Sequence, residues 1–313
     1  MFRPTCRFLI PLVALLMLGA CSKDEQAATP TSANTDPAAA IMYQVKMLKA
    51  GKIGDLVKVS LPPDDYQGVR EAFAEQQKRE QPVSEEQRQE FARQMKELSA
   101  PDAEQALFNK LLPVLKQYDS KYKAMLPMYI GIGQTALSTG ISQSKDMTPE
   151  QKKQATEMLS AAASWAQGTD WGDQEKARQA IAVVTSTVRK LDVKTLEQAR
   201  AMNFDQAMAK YGQVWDGVRK VLAIYGVDVD KALATVEAKT VSQTGDKATV
   251  AVSYTLFDKP MKSQVQMIER DGHWYNADLV AKLEKSLAED QASTSATVAA
   301  PATSVPPSAG TVH

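Results

Sequence analysis

Between Asp36 and Tyr225 apolar side chains return every three or four residues, the spacing that places them on one face of a helix. Asp36-Pro37 reads as a cap and first helical residue, opening a helix through Ala50 with Ile41, Val45 and Leu48 on one side. Pro62-Pro63 restart the chain before Tyr66, Val69 and Phe73. Ser84 with Gln87 forms a capping box ahead of Phe91, Met95 and Leu98. Pro101 opens a segment carrying Leu107, Leu111 and Leu115, in which Pro113 is expected to introduce a kink. Thr148 with Gln151 makes a second capping box, followed by Met158, Leu159 and Trp165. Asp173 starts a segment bearing Ile181, Val184 and Val188. Asp205 to Tyr225 then carries Met208, Tyr211, Trp215, Val218 and Leu222, with Gly226 as the stop.

After Thr235 the period changes. From Lys247 to Leu256 the residues Ala248, Val250, Val252, Tyr254 and Leu256 alternate with mostly polar ones, the mark of a half-buried strand. Thr244-Gly245-Asp246 precedes this strand as a turn, Asp258-Lys259-Pro260 follows it, and Asp271-Gly272 leads into His273-Trp274-Tyr275. The pattern predicts an antiparallel meander of three or four strands closed by a helix from about Asp278 to Glu289. The predicted fold class is mainly α. A multi-helix domain over 37–234 is followed by a small α+β antiparallel-sheet domain over 235–290.

Residues 125–141, MLPMYIGIGQTALSTGI, are the most apolar stretch after the first twenty. Membrane contact and a buried helix compete here. The stretch is too short for a span of roughly 20 residues, and Gln134, Thr135, Ser138 and Thr139 interrupt it, so a buried helix packed through its small residues is expected.

The first residues follow a different logic. Arg3 and Arg7 precede an apolar run from Phe8 to Leu18, then Gly19, Ala20 and Cys21. This order matches a secretory signal segment over 1–20. Leu18-Gly19-Ala20-Cys21 resembles the lipobox of bacterial lipoproteins. The resemblance implies cleavage between Ala20 and Cys21, lipid on Cys21 as membrane anchor and, with Ser22 next, an outer-membrane location facing the periplasm. Residues 21–36 would form a tether, and 291–313, nearly all Ala, Thr, Ser, Pro and Val, a disordered tail.

Composition narrows the classes. The 313 residues include 37 basic and 37 acidic side chains, and removal of 1–20 takes away Arg3 and Arg7 to leave 35 against 37. That balance argues against a nucleic-acid partner, which calls for a basic excess. With Cys6 removed and Cys21 acylated, no thiol would remain, so neither a disulfide nor thiol redox chemistry is expected; no cofactor is assigned.

Motifs of chemistry are scarce. His273 and His313 stand apart from other ligand types, so no metal site is expected, and His273 reads as a solvated strand-end residue. Asp170 to Glu175 lacks the calcium-loop spacing and reads as a loop with a helix cap. Ser120-x-x-Lys123 and Ser142-x-x-Lys145 lack the companion motifs of penicillin-binding proteins, and no GxSxG occurs. Asp64-Asp65, Glu85-Glu86 and Asp228-Val229-Asp230 each begin a helical segment, where carboxylates complement the helix dipole. Trp165, Trp171 and Trp215, with Tyr118 and Tyr122, can line a core or a groove, and core is the expectation. No catalytic residue is assigned.

The Gly245-Asp246 turn, the alternating strand and Asp271-Gly272-His273-Trp274-Tyr275 resemble small cystatin-like or nuclear-transport-factor-like domains at the ends of bacterial lipoproteins. Such domains often bind ligands or other proteins, and some are enzymes, but the resemblance carries over no catalytic residue. The expected role is a non-enzymatic one in envelope interaction or assembly, with an envelope protein as partner. The alternatives are a small-molecule or lipid-binding module and, behind it, an envelope hydrolase.

Overall fold

The computed structural model describes residues 36–79, 82–145 and 147–298, with side chains through Glu289. The fold is mainly helical with a small antiparallel sheet near its C-terminal end. Eleven helices precede the sheet among these residues: α1 (Pro37–Lys49), α2 (Ile53–Ser60), α3 (Pro63–Arg79), α4 (Glu85–Ser99), α5 (Ala103–Gln117), α6 (Leu126–Gln143), α7 (Pro149–Gly168), α8 (Gln174–Leu191), α9 (Leu196–Arg200), α10 (Phe204–Ile224) and α11 (Val229–Ala234). Strands β1 (Glu237–Thr244), β2 (Lys247–Leu256), β3 (Lys259–Arg270) and β4 (His273–Asn276) follow, and α12 (Ala277–Val298) ends the described chain.

Local chemistry sets the helix starts. The Asp36 carboxylate accepts the Ala39 N–H at 2.8 Å. Ser84 with Gln87 and Thr148 with Gln151 form the expected capping boxes, and Asp173 accepts from the Glu175 and Lys176 amides. Asn203 with Gln206 adds a box that moves the start of α10 to Phe204, one residue before the expected Asp205. Helix α5 continues through Pro113 for about one turn and gives way to a π-helical turn over Tyr118–Tyr122.

Helix α2 does not register in the apolar pattern. It has eight residues between Gly51 and Leu61, and Lys52 before it supplies no side-chain cap. Yet Leu56, Val57 and Leu61 are among the most deeply buried residues. Two turns are too few for periodicity to stand out, so only burial reveals it.

The sheet is a simple meander ordered β1-β2-β3-β4. Ala248, Val250, Val252 and Tyr254 all point into the core, as their alternation requires. The β2–β3 turn lies at Phe257-Asp258, both at positive φ, rather than at Asp258-Lys259-Pro260. Pro260 is already in β3 opposite Thr255, beyond the reach of β4, which pairs with Met267 to Arg270. Its missing N–H therefore costs no ladder bond.

Helix α1 lies against α2, β1, β2, β4 and α11, so helices and sheet share one continuous core. Ala40, Val45 and Leu48 from α1 join Met208 and Trp215 from α10, Val250 and Val252 from β2, and Trp274 and Leu279 beyond them. Among the described residues the buried hydrophobic side chains run from Ala40 to Val280, and a chain beginning at Ser22 carries all of them. A satellite cluster joins Phe108 and Leu115 to Ala177, with the Arg178 guanidinium 3.4 Å from the Phe108 ring centroid. Helix α12 runs to Val298, past the expected end at Glu289 and eight residues into the segment read as tail. The Ala, Gln and Ser there follow the helix without a breaker.

Candidate functional site

Ala20 and Cys21 lie outside the described residues. The other candidates fall at structural posts. Asp173 caps α8, and Asp170 accepts the Gly172 N–H and pairs with Lys123 at 3.1 Å. Asp228 caps α11, while Asp230 pairs with Arg219. Ser120 and Ser142 donate to helix carbonyls, Gln117 O and Thr139 O, rather than facing Lys123 or Lys145. His273 is half-buried at the start of β4, and its Nδ1 has no hydrogen-bond partner. Among the described residues no three His, Cys, Asp or Glu side chains are grouped to hold a metal ion.

Two carboxylates converge where α3 and α12 meet β3. Arg270 Nη1 lies 2.7 Å from Glu284 Oε1 and 3.5 Å from Asp65 Oδ2. Burial holds the Asp65 carboxyl above its usual range, Glu284 adds to the rise and Arg270 opposes it. The guanidinium is shared between the two acids, and the cluster ties three elements together.

The aromatic residues divide. Trp215 is buried, whereas Trp165 and Trp171 are half-buried in a cluster at the end of α7. Trp165 meets Trp171 edge-on at 5.4 Å and Phe257 at 5.8 Å, and Trp171 stacks on Tyr225 at 5.3 Å. Both indoles donate to backbone carbonyls, Trp165 to Tyr225 and Trp171 to Ala166. The cluster is a filled joint between helix ends and the β2–β3 turn. Tyr122 is exposed, contrary to the core expectation.

Between α7 and the sheet, Gln154, Glu157, Tyr254, Met261, Lys262 and Ser263 line a pocket of about 10 Å³. That is room for about one water molecule. Burial pushes the Tyr254 phenol beside it up to about 12.

The largest departure from expectation is α6. A buried helix is expected there, but none of its residues is buried. Its main packing partner is α7, to which a short loop joins it as a hairpin. Leu126, Ile130, Gln134, Ser138 and Ile141 take the half-buried side, while Met125, Met128, Tyr129 and Ile132 point outward. Ile132 is 62% exposed; Leu137, five residues on and so about 140° around the helix from it, is 59% exposed. Gln134 and Ser138 share the inner side with Leu126, Ile130 and Ile141, and a second set of bulky apolar groups faces outward. A Cβ added at Gly131, Gly133 or Gly140 would meet nothing within 4 Å, so these glycines do not serve close packing inside the molecule. No helix among the described residues is long and apolar enough to cross a membrane.

Comparison with family models, with curated proteins and with solved structures gives no match. The site must be read from its own geometry, and that geometry presents a surface. Sequence reasoning recognised the composition of 125–141. It missed the exposure, because an apolar stretch carries no record of which side its neighbours occupy.

Proposed function

We propose that this chain is a lipid-anchored, non-enzymatic contact protein at the periplasmic face of the outer membrane, acting through α6. The observation that carries this reading is the outward row Met125, Met128, Tyr129 and Ile132 on a helix with no buried residue. Monomeric soluble proteins rarely leave contiguous apolar surface of this kind without a use for it. The anchor is supported by Leu18-Gly19-Ala20-Cys21 and its resemblance to the lipoprotein lipobox, and Ser22 supports the outer-membrane location. The turn pattern around Asp271-Gly272-His273-Trp274-Tyr275 keeps the likeness to cystatin-like lipoprotein domains as part of the proposal.

The test combines intact mass and in-cell photo-crosslinking of the full chain. The mature protein is expected to begin at lipidated Cys21, to sediment with outer membrane, and to form adducts from a photoreactive residue at Ile132 but not at Val184. A mature chain that starts elsewhere without lipid overturns the anchor. Equal adducts at both positions, or none, overturn the role of α6.

A further inference from the structure

We infer that the outward face of α6 lies in the headgroup region of an anionic lipid bilayer, parallel to the membrane plane. This deepens the contact role proposed above and rests on that reading for the anchor alone. Four observations select lipid over a second copy of the chain.

The first is charge. From Ala124 to Ser144 there are 21 residues without a charged side chain, while Lys121 and Lys145 flank the stretch and Lys123, also at its start, is paired with Asp170 and Asp119. Between Lys116 and Lys153 six lysines stand against three acidic residues, in a chain whose balance after Ala20 is 35 basic to 37 acidic. An apolar face with a lysine rim matches an anionic surface, into which the side chains enter while the ammonium groups meet headgroups. Pairing two such helices would bring lysine-flanked ends together in either direction, and like charges would oppose it.

The second is the state of the polar groups. The Thr135 hydroxyl donates to the Gly131 carbonyl at 2.9 Å, and the Thr139 hydroxyl to the Thr135 carbonyl at 2.9 Å. Their donors are satisfied within the helix, so the face can leave water without stranding them.

The third is geometry. One side of α6 is packed on α7, so the helix cannot cross a bilayer unaccompanied; its roughly 27 Å axis lies along a surface instead. Tyr122 and Tyr129 are exposed with it, each with an apolar ring and a polar tip suited to the interface. The fourth is reach. With lipid on Cys21, the chain to Asp36 spans at most about 50 Å, which holds the body at a high local concentration over the same surface.

The test uses the chain from Ser22, which retains the core and carries no acyl group, so failure of the anchor does not affect it. It is mixed with vesicles of phosphatidylcholine alone and of phosphatidylcholine with phosphatidylglycerol, and the bound fraction is measured by sedimentation. Binding is expected with the anionic vesicles and is expected to fall with salt. Ile132→Glu and Met128→Glu should each weaken it about tenfold, equivalent to about 1.4 kcal/mol. Lys121→Gln combined with Lys145→Gln should weaken it on the anionic vesicles, and Val184→Glu should leave it unchanged. Thermal melts equal to the unsubstituted chain would show that these exposed positions leave the fold intact. No binding to anionic vesicles, or binding that ignores Ile132→Glu, overturns the inference. So does self-association without lipid that Ile132→Glu abolishes, which would make the occupant a second copy. Loss of vesicle binding alongside an in-cell adduct from Ile132 to a protein would overturn the lipid surface and leave the contact role standing.

Discussion

The indole N–H of Trp215 donates to the carbonyl oxygen of Leu48 at 3.0 Å, across 167 positions of sequence. Leu48 lies in the last turn of α1, and its carbonyl also accepts the Gly51 N–H at 3.1 Å where the helix ends. Arg219, one turn further along α10, donates to the Lys49 carbonyl at 3.1 Å and pairs with Asp216 and Asp230. Helix α10 thus closes the end of α1 from the side. The approach is close enough that a Cβ at Gly212 would collide with the Gly51 carbonyl oxygen.

Trp215→Phe keeps much of the ring and deletes the donor. It is expected to cost about 0.5–1.5 kcal/mol, the net worth of one hydrogen bond, because the Leu48 carbonyl keeps the Gly51 N–H. Gly212→Ala should destabilise as well, because the obstacle is backbone and cannot swing aside. Equilibrium urea unfolding measures both. An unchanged midpoint for Gly212→Ala would show that α1 and α10 sit further apart.

The two faces of β2 should respond unequally to charge. Val252 is 1% exposed, and Val252→Asp would strand a carboxylate in the core at a cost of several kcal/mol. Thr249 is on the half-exposed face with its hydroxyl directed to Gln266, so Thr249→Asp should cost far less. Thermal melts of the two variants decide it, and equal losses would mean that both faces are covered.

Asp65 predicts a pH dependence with a definite sign. Its folded-state pKa is raised above the usual 3.8, chiefly by burial and then by Glu284. The folded chain therefore holds this proton more tightly than the unfolded chain. The resulting stabilisation is complete below the unfolded value and is lost as pH rises through the folded value. Asp65→Asn should melt higher than the unsubstituted chain at about pH 7, with the difference shrinking towards about pH 4. A difference that does not vary with pH would place Asp65 outside that balance.

Glycine in an exposed helix weakens it for want of side-chain contact and backbone restraint. Gly133→Ala and Gly140→Ala, each with open space where the methyl group would go, should stabilise the lipid-free chain by about 0.5–1 kcal/mol. Calorimetry of the chain from Ser22 provides the measurement. Destabilisation would mean that another surface already packs against these glycines.

What was legible in the sequence is local. The caps at Asp36, Ser84, Thr148 and Asp173 act over two or three residues, and β2 shows its inward face by strict alternation. Contacts between distant segments left no such trace. Helix α2 is too short to show a period, and its depth comes from neighbours that include Met208, against which Gly54 lies. Phe257 adopts positive φ without the glycine or asparagine that signals such a turn, and its ring lies against Trp165. For α6 the apolar content was visible, but the side facing solvent depends on how it packs against α7.

Helix α1 is packed against β1, β2 and β4, so the first described helix and the last strands complete one another. During synthesis α1 emerges nearly two hundred residues before its sheet partners, with Ile41 and Val45 awaiting surfaces that do not yet exist. The core cannot close by stepwise growth from the N-terminus, and most of the chain must be present before its tightest contacts form. A polypeptide released after Ala234 would keep nearly all its helices and still lack the sheet that covers α1. For this protein, closing the core waits on the last quarter of the chain.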